Sequence, residues 1–344
     1  MLAKKRIADL LVDTLIDAGV KRVYGLAGDS LNGITDSMRP RDNIQWAPVR
    51  HGESAAFVAG AEAHLTGQLA VCAGSCGPGN LHLINHSLYD CHRSRVPMLA
   101  IADHVPSREI GSGYFQETHP KLIFKECSDY YELVSHPEQM PRVLEIAMQT
   151  ALSRRGVSVI ALPGDVALRN AVEQQPRLHF PEPKPNARPS DEEIAALAKI
   201  LNQSKKITIL GGADCAGAHM ELIEHAGKLK APIVHAMRGK KFIEYDNPFD
   251  VGMISLLRFS SGYRYLQEPH SVRQPLLLGR LFPRLRDRTR SRLSRLRNGR
   301  PVVRGEFDVL MRVAAHRSHA LTDAIESCHQ ASVVQNTKEH HDIL

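Results

Sequence analysis

The sequence predicts an α/β fold: a doubly wound parallel sheet, then a partial second α/β domain and an irregular tail. Three observations carry this. Short, nearly all-apolar runs alternate with stretches of helical spacing, as strands covered on both faces require. A glycine-rich turn follows most of those runs. After a proline-rich stretch the same scheme starts again.

The elements follow in order. From Arg6 the apolar positions Ile7, Leu10, Leu11, Leu15 and Ile16 recur at helical spacing, and Gly19 caps the end. "RVYGLAGDS" reads as a short strand entering a turn, followed by a helix from Leu31 and a second strand at "IQWAPV". "RHGESAAFVAGAEAH", Arg50 to His64, is an amphipathic helix whose alanines and glycines suit close contact with another backbone or a flat ligand. A strand at Leu69 to Ala73, the turn "GSCGPGN" and a helix from about Asn80 to Cys91 repeat the pattern. "VPMLAIAD" and "VSVIALPGD" are two further buried strands, with a helix from Pro137 to Arg154 between them. "VEQQPRLHFPEPKPNARPS" holds five of the 20 prolines and reads as an extended linker. Ser190 and Glu193 have capping-box spacing, so a new helix opens the second unit, which continues through "KITIL", "GGADCAGAH", a helix to Lys228 and "APIVHA". Past Tyr263 neither a period of two nor one of 3.6 is sustained.

With 344 residues, 43% of them hydrophobic, the chain can bury two ordinary cores. The formal charge of +7 is a local property: ten arginines and one acid, Asp287, lie between Arg280 and Arg304, and the remainder is slightly acidic. No aromatic residues interleave the arginines from Arg284 to Arg304, so nucleic-acid binding is not expected. The six cysteines, Cys72, Cys76, Cys91, Cys127, Cys215 and Cys328, form neither a C-x-x-C pair nor a compact disulfide framework. Reduced, structural thiols and a cytoplasmic location are the expectation. Asp9 and Asp13 interrupt any signal-peptide core.

Strand, glycine-rich turn and helix start together make an anion- or ring-binding site, because outward amides meet no side chain. "GSCGPGN", Gly74 to Asn80, has that form, as do "LAGDS" and "GGADCAGAH". Alone, each is weak. Neither phosphate-loop fingerprint occurs. Cys72 and Cys76 flank the first turn and read as small buried hydrophobes, and "KEHHD" near the end reads as a frayed charged terminus rather than a metal site.

Taken together, "YGLAGDSLNGITDSM", the run from "RHGESAAF" through "GYFQETHP", "GVSVIALPGDVAL" and "APIVHAMRGKKFIEYDNPFDVGM" resemble the thiamine diphosphate-dependent family of pyruvate oxidase and quinone-linked pyruvate dehydrogenase. The resemblance implies a pyrimidine-binding domain at residues 1–181, a linker at 182–190, a partial FAD-binding-like central domain at 191–263, and an unrelated tail at 264–344, expected to be a shifted reading frame. It implies thiamine diphosphate, FAD and magnesium as family cofactors, pyruvate as substrate, quinone as electron acceptor, and a homo-oligomer, a homotetramer in relatives. By it, Gly77, Pro78, Gly79 and Asn80 pack against the aminopyrimidine, Gly28, Asp29 and Ser30 line the substrate channel, and Phe115 and Gln116 reach the pyruvate pocket.

Three departures qualify these implications. In the family a glutamate follows Arg-His and bonds the pyrimidine ring nitrogen; here Gly52 takes that place. Glu53 is one helical step on, turned by about 100°, and is read as structural or solvent-facing. Ser255 and Arg258 stand where relatives have glycines that admit the flavin, and no G-D-G magnesium signature occurs. The resemblance therefore implies an oxidative decarboxylase of pyruvate that, as written, is inactive or incomplete and binds no cofactor tightly alone. The alternative is a non-catalytic partner of an intact relative.

Overall fold

Strand residues that alternate in sequence must face opposite sides of a sheet, and the first unit is built on that rule. The computed structural model describes residues 5–172, 190–204, 206–254 and 273–276. The chain divides into two compact units, Met1–Lys184 and Pro185–Leu344.

In the first unit the elements are α1 (Ile7–Asp17), β1 (Arg22–Gly25), α2 (Asn32–Met38), β2 (Gln45–Pro48), α3 (Gly52–Thr66), β3 (Ala70–Gly74), α4 (Pro78–Leu83), α5 (Tyr89–Ser94), β4 (Met98–His104), α6 (Pro120–Ile123), β5 (Tyr130–Leu133), α7 (Met140–Arg154), β6 (Val157–Pro163) and α8 (Gly164–Ala167). The six strands are parallel and ordered β2-β1-β3-β4-β6-β5. Val71, Ala73, Leu99, Ile101, Ile160 and Leu162 face one core with α1, α2 and α7. Their neighbours Cys72, Met98, Ala100, Val157 and Val159 face the other, with Ala55, Ala56 and Ala59 of α3. The nearly all-apolar strands are thus buried on both sides, and the doubly wound sheet is present as expected.

Gly19 follows α1 at φ 83, the left-handed conformation a helix stop needs. The first turn of α1 is held by charge. Asp9 accepts from the Arg6 backbone N–H at 2.8 Å, from Arg6 Nε at 3.2 Å and from Ser37 Oγ at 2.7 Å, while Arg6 also reaches Asp36 at 3.0 Å. Burial alone would raise the Asp9 carboxyl, but these donors outweigh it and hold it down at about 2, against an ordinary 3.8. A depressed carboxylate stabilises the fold fully above its unfolded value, and that stabilisation disappears as pH falls from about 4 to about 2, roughly 2 kcal/mol in all. Asp9→Asn is therefore expected to lower stability by about 1–3 kcal/mol at pH 7 and to flatten this acid limb, as urea denaturation across pH 2–7 would show.

The structure differs from the sequence reading at several places. The single helix expected from Asn80 to Cys91 is two, α4 and α5, joined by a π turn at Ile84–Leu88 in which Asn85 leaves helical backbone (φ −14, ψ −107). A π turn takes up extra residues, and here Leu83, Ser87 and Leu88 stay buried while His82 and His86 remain outside. The edge strand β5 had no counterpart in the sequence reading. A short strand also lies in the stretch expected to be irregular.

That strand belongs to the second unit: α9 (Asp191–Gln203), β7 (Lys206–Gly211), α10 (His219–Leu229), β8 (Ile233–His235), α11 (Lys240–Ile243), β9 (Asp250–Met253) and β10 (Arg273–Leu276). Its sheet is parallel, ordered β10-β7-β8-β9. β10 is an edge strand, the place in a sheet where a proline such as that at position 275 is tolerated. The capping box forms: Ser190 Oγ accepts from Glu193 N–H at 3.2 Å, and Glu193 Oε2 accepts from Ser190 N–H at 2.9 Å. Leu197, Leu201, Ile209, Leu222, Ile233 and Ile243 close this core. The proline-rich linker up to residue 189, Ser255, Arg258, Cys328, the arginine run and "KEHHD" lie outside the described residues. Among the described residues no helix is long and apolar enough to cross a membrane.

Candidate cofactor-binding site

Parallel strands deliver their turns to one edge of the sheet, and ligands of α/β folds bind there. At that edge the turns after β1 and β3 meet the segment around Gln116. Ser30 Oγ accepts from the Cys76 backbone N–H at 3.1 Å, and Cys76 Sγ lies 3.6 Å from Gln116 Oε1. A side chain on Gly28 would stand 2.6 Å from Ser75 Cβ, and one on Gly79 would stand 2.5 Å from Ser75 Oγ. Gly77, at φ 66, lies directly under the carbonyl oxygen of Gln116. These glycines let three backbone segments close on one another. Asp29 is exposed, Ser30 and Gln116 are half-buried, and the Phe115 side chain is 83% exposed beside Tyr114.

Beneath the turn lies Asn80, fully buried at the third position of α4, which opens with Pro78. Its Nδ2 donates to the backbone carbonyl of Asp103 at 2.7 Å, while its Oδ1 is buried and makes no hydrogen bond. A buried acceptor without a partner is costly, and this one sits where the turn could offer it a ligand donor. Asp103, at the end of β4, is also fully buried, and burial pushes its pKa well above the carboxylate range, opposed only in part by the nearby Ser30 hydroxyl. The sequence reading passed over Asp103. Its one signal was an acid at the end of an otherwise apolar strand.

Gly52 opens α3 against the same turn. A Cβ there would stand 3.4 Å from Gly79 O and 3.0 Å from His82 Cβ, so position 52 faces the turn and presents no side chain to it. Glu53 does not replace it. Its carboxylate is half-buried, with Oε1 3.5 Å from His86 Nδ1 and Oε2 3.9 Å from His51 Nδ1. His51 caps α3, accepting the Glu53 N–H at Nδ1, and its ring meets His82 edge-on with centroids 4.3 Å apart. His86, placed by the π turn, was absent from the sequence reading of the site. The residues present thus fit the holding of a flat heteroaromatic ring, through the glycine turn and the unpaired Asn80 Oδ1, but supply no carboxylate at position 52 to exchange a proton with it.

Residues 5–123 match the model of the N-terminal thiamine pyrophosphate-binding domain of thiamine pyrophosphate enzymes, and residues 194–279 match that of their central domain. The second match runs past Tyr263, where the sequence reading ends the resemblance, and includes β10. An uncharacterized 42.6 kDa protein of Pseudomonas amyloderamosa is 58% identical over 283 residues, which are 82% of this chain and 70% of that protein. Pyruvate oxidase of Lactiplantibacillus plantarum is 31% identical over 246 residues, 68% of this chain and 39% of its own. An acetolactate synthase of Arthrospira platensis is 29% identical over 269 residues, 74% and 46% respectively. The chain thus spans less than half of each named enzyme, and the two are similar to it to nearly the same degree.

Proposed function

Because the chain belongs to the thiamine pyrophosphate enzymes, we propose that it is a pyrimidine-binding subunit that holds the cofactor's ring end at Gly77, Pro78, Gly79 and Asn80 without activating it. Within the family we place it with the oxidative decarboxylases of pyruvate that use FAD and quinone, on the motifs quoted from its sequence. FAD and magnesium enter this reading by that resemblance alone. Bound thiamine diphosphate supplies the carbon nucleophile for decarboxylating a 2-oxo acid. The chain's part would be to position the ring and move its proton, and the second task lacks its acid.

The observation that carries the proposal is the empty side of Gly52, facing the turn, with Glu53 held beside His51 and His86 instead. A positioned acid or base is worth about 10²–10⁴-fold in rate. With saturating thiamine diphosphate and magnesium, deuterium exchange at the thiazolium carbon, followed by proton NMR, is expected to match exchange in buffer, with no pyruvate consumed. Exchange accelerated 100-fold by the native chain would overturn the proposal.

A second reading is favoured by α3 itself, which leaves Phe57, Val58 and Leu65 exposed, with Leu81 of α4. Large apolar side chains left on helices that carry a site suit subunit association. In this reading the chain pairs with an intact relative as its non-catalytic partner. Co-purification of the two from a co-expressing cell supports it, and separate elution at micromolar concentration opposes it.

A further inference from the structure

The second unit places one fully buried histidine between two carboxylates. His235 ends β8, Glu244 follows α11, and Asp250 begins β9, the strand paired with β8. His235 Nδ1 lies 2.7 Å from Asp250 Oδ1, and the other Asp250 oxygen accepts the Gly252 N–H at 3.2 Å. An ionised carboxylate only accepts, so Nδ1 carries the proton. Nε2 is then left buried, makes no hydrogen bond, and faces Glu244 Oε2 at 3.3 Å. In the neutral ring a lone pair would face a carboxylate oxygen, an arrangement that calls for a cation between them.

We propose that His235 Nε2 and Glu244 bind a zinc-like divalent ion, with Asp250 orienting the imidazole from behind. Two ligands at about 2.0–2.1 Å from a tetrahedral zinc stand about 3.3 Å apart, which is the separation found. The three side chains offer ligating atoms that all lie within 4.8 Å of one another. A histidine that ligates through one nitrogen and donates from the other to a carboxylate is the usual outer-shell arrangement of such sites. The present cation at Glu244 is Lys240, 3.1 Å from the same Oε2. Both side chains are largely exposed, 56% and 42%, and an exposed pair of this kind contributes little. Lys240 can swing into solvent, and the same exposure gives an ion its way in. Water completes the coordination.

The test is isothermal titration of the reduced full chain with zinc chloride, in a His340→Ala/His341→Ala background that removes the histidine pair near the end. One equivalent is expected to bind. Glu244→Gln should weaken binding at least tenfold, and Asp250→Asn by about 10–100-fold. Cobalt(II) should give the visible absorption of a tetrahedral site, lost in Glu244→Gln, which leaves the buried histidine in place should His235→Gln not fold. Absence of stoichiometric binding, or an affinity unchanged in both Glu244→Gln and His235→Gln, overturns the proposal and leaves an imidazolium between two carboxylates.

Discussion

Gly52→Glu is expected to raise deuterium exchange at the thiazolium carbon by about 10²–10⁴-fold over the native chain, the usual worth of a positioned acid or base. Position 52 is the first residue of α3, and its Cβ would point between Gly79 O and His82 Cβ, toward the turn that ends in Asn80. A carboxylate there also meets the positive end of a 15-residue helix. The obstacle is the 3.0 Å approach to His82 Cβ, which requires α4 to give by a few tenths of an ångström. His82 is exposed and belongs to a six-residue helix ending in the π turn, so it can yield. Gly52→Glu/His82→Ala removes the obstacle and should reach at least the rate of the single variant. Glu53→Gln should leave exchange unchanged, because its carboxylate faces His51 and His86. If neither Gly52→Glu nor the double variant exceeds the native chain while both retain thiamine diphosphate binding, the missing acid is not what silences the site.

Why the sequence revealed some of this and not the rest follows from the range of the interactions. The buried strands were legible because two-sided burial leaves a local mark, a continuous apolar run, and the caps at Gly19 and Ser190 are written in one or two residues. β5 left no such mark: Tyr130–Leu133 is a short edge strand whose residues are only half-buried or exposed. The π turn was hidden because helical spacing holds on both sides of Asn85. Gly52 could be singled out against a family motif, but the direction of Glu53 depends on His86, more than thirty positions along and placed by that turn. Asp103 reads locally as the end of a strand, and only the neighbouring strands bury it. His235, Glu244 and Asp250 have no motif spacing. His235 and Asp250 meet because β8 and β9 pair in parallel, and the end of α11 brings Glu244 to them, all tertiary facts.

The glycine turn gives the second large effect. Gly77→Ala is expected to destabilise the first unit by about 3 kcal/mol and lower its thermal midpoint by roughly 6–12 °C. Gly77 combines φ 66 with ψ −118, a conformation side chains avoid, and its Cβ would strike the Gln116 carbonyl, with the Gln116 carbonyl carbon 3.1 Å away. Both partners are backbone, so neither can rotate aside as a flexible side chain would. Gly67→Ala separates the two contributions. Gly67 has φ 72 and ψ 0, yet nothing lies within 4 Å of its Cβ, so only left-handed strain of about 1 kcal/mol applies. The difference between the two variants, measured by urea denaturation, is the collision with Gln116. Because that contact joins the segment of Phe115 and Gln116 to the turn of Gly77–Asn80, Gly77→Ala should also weaken thiamine diphosphate binding, while Gly67→Ala should not. Equal losses of stability in the two variants would mean that Gln116 is free to move away, and the turn would then owe its shape to β3 and α4 alone.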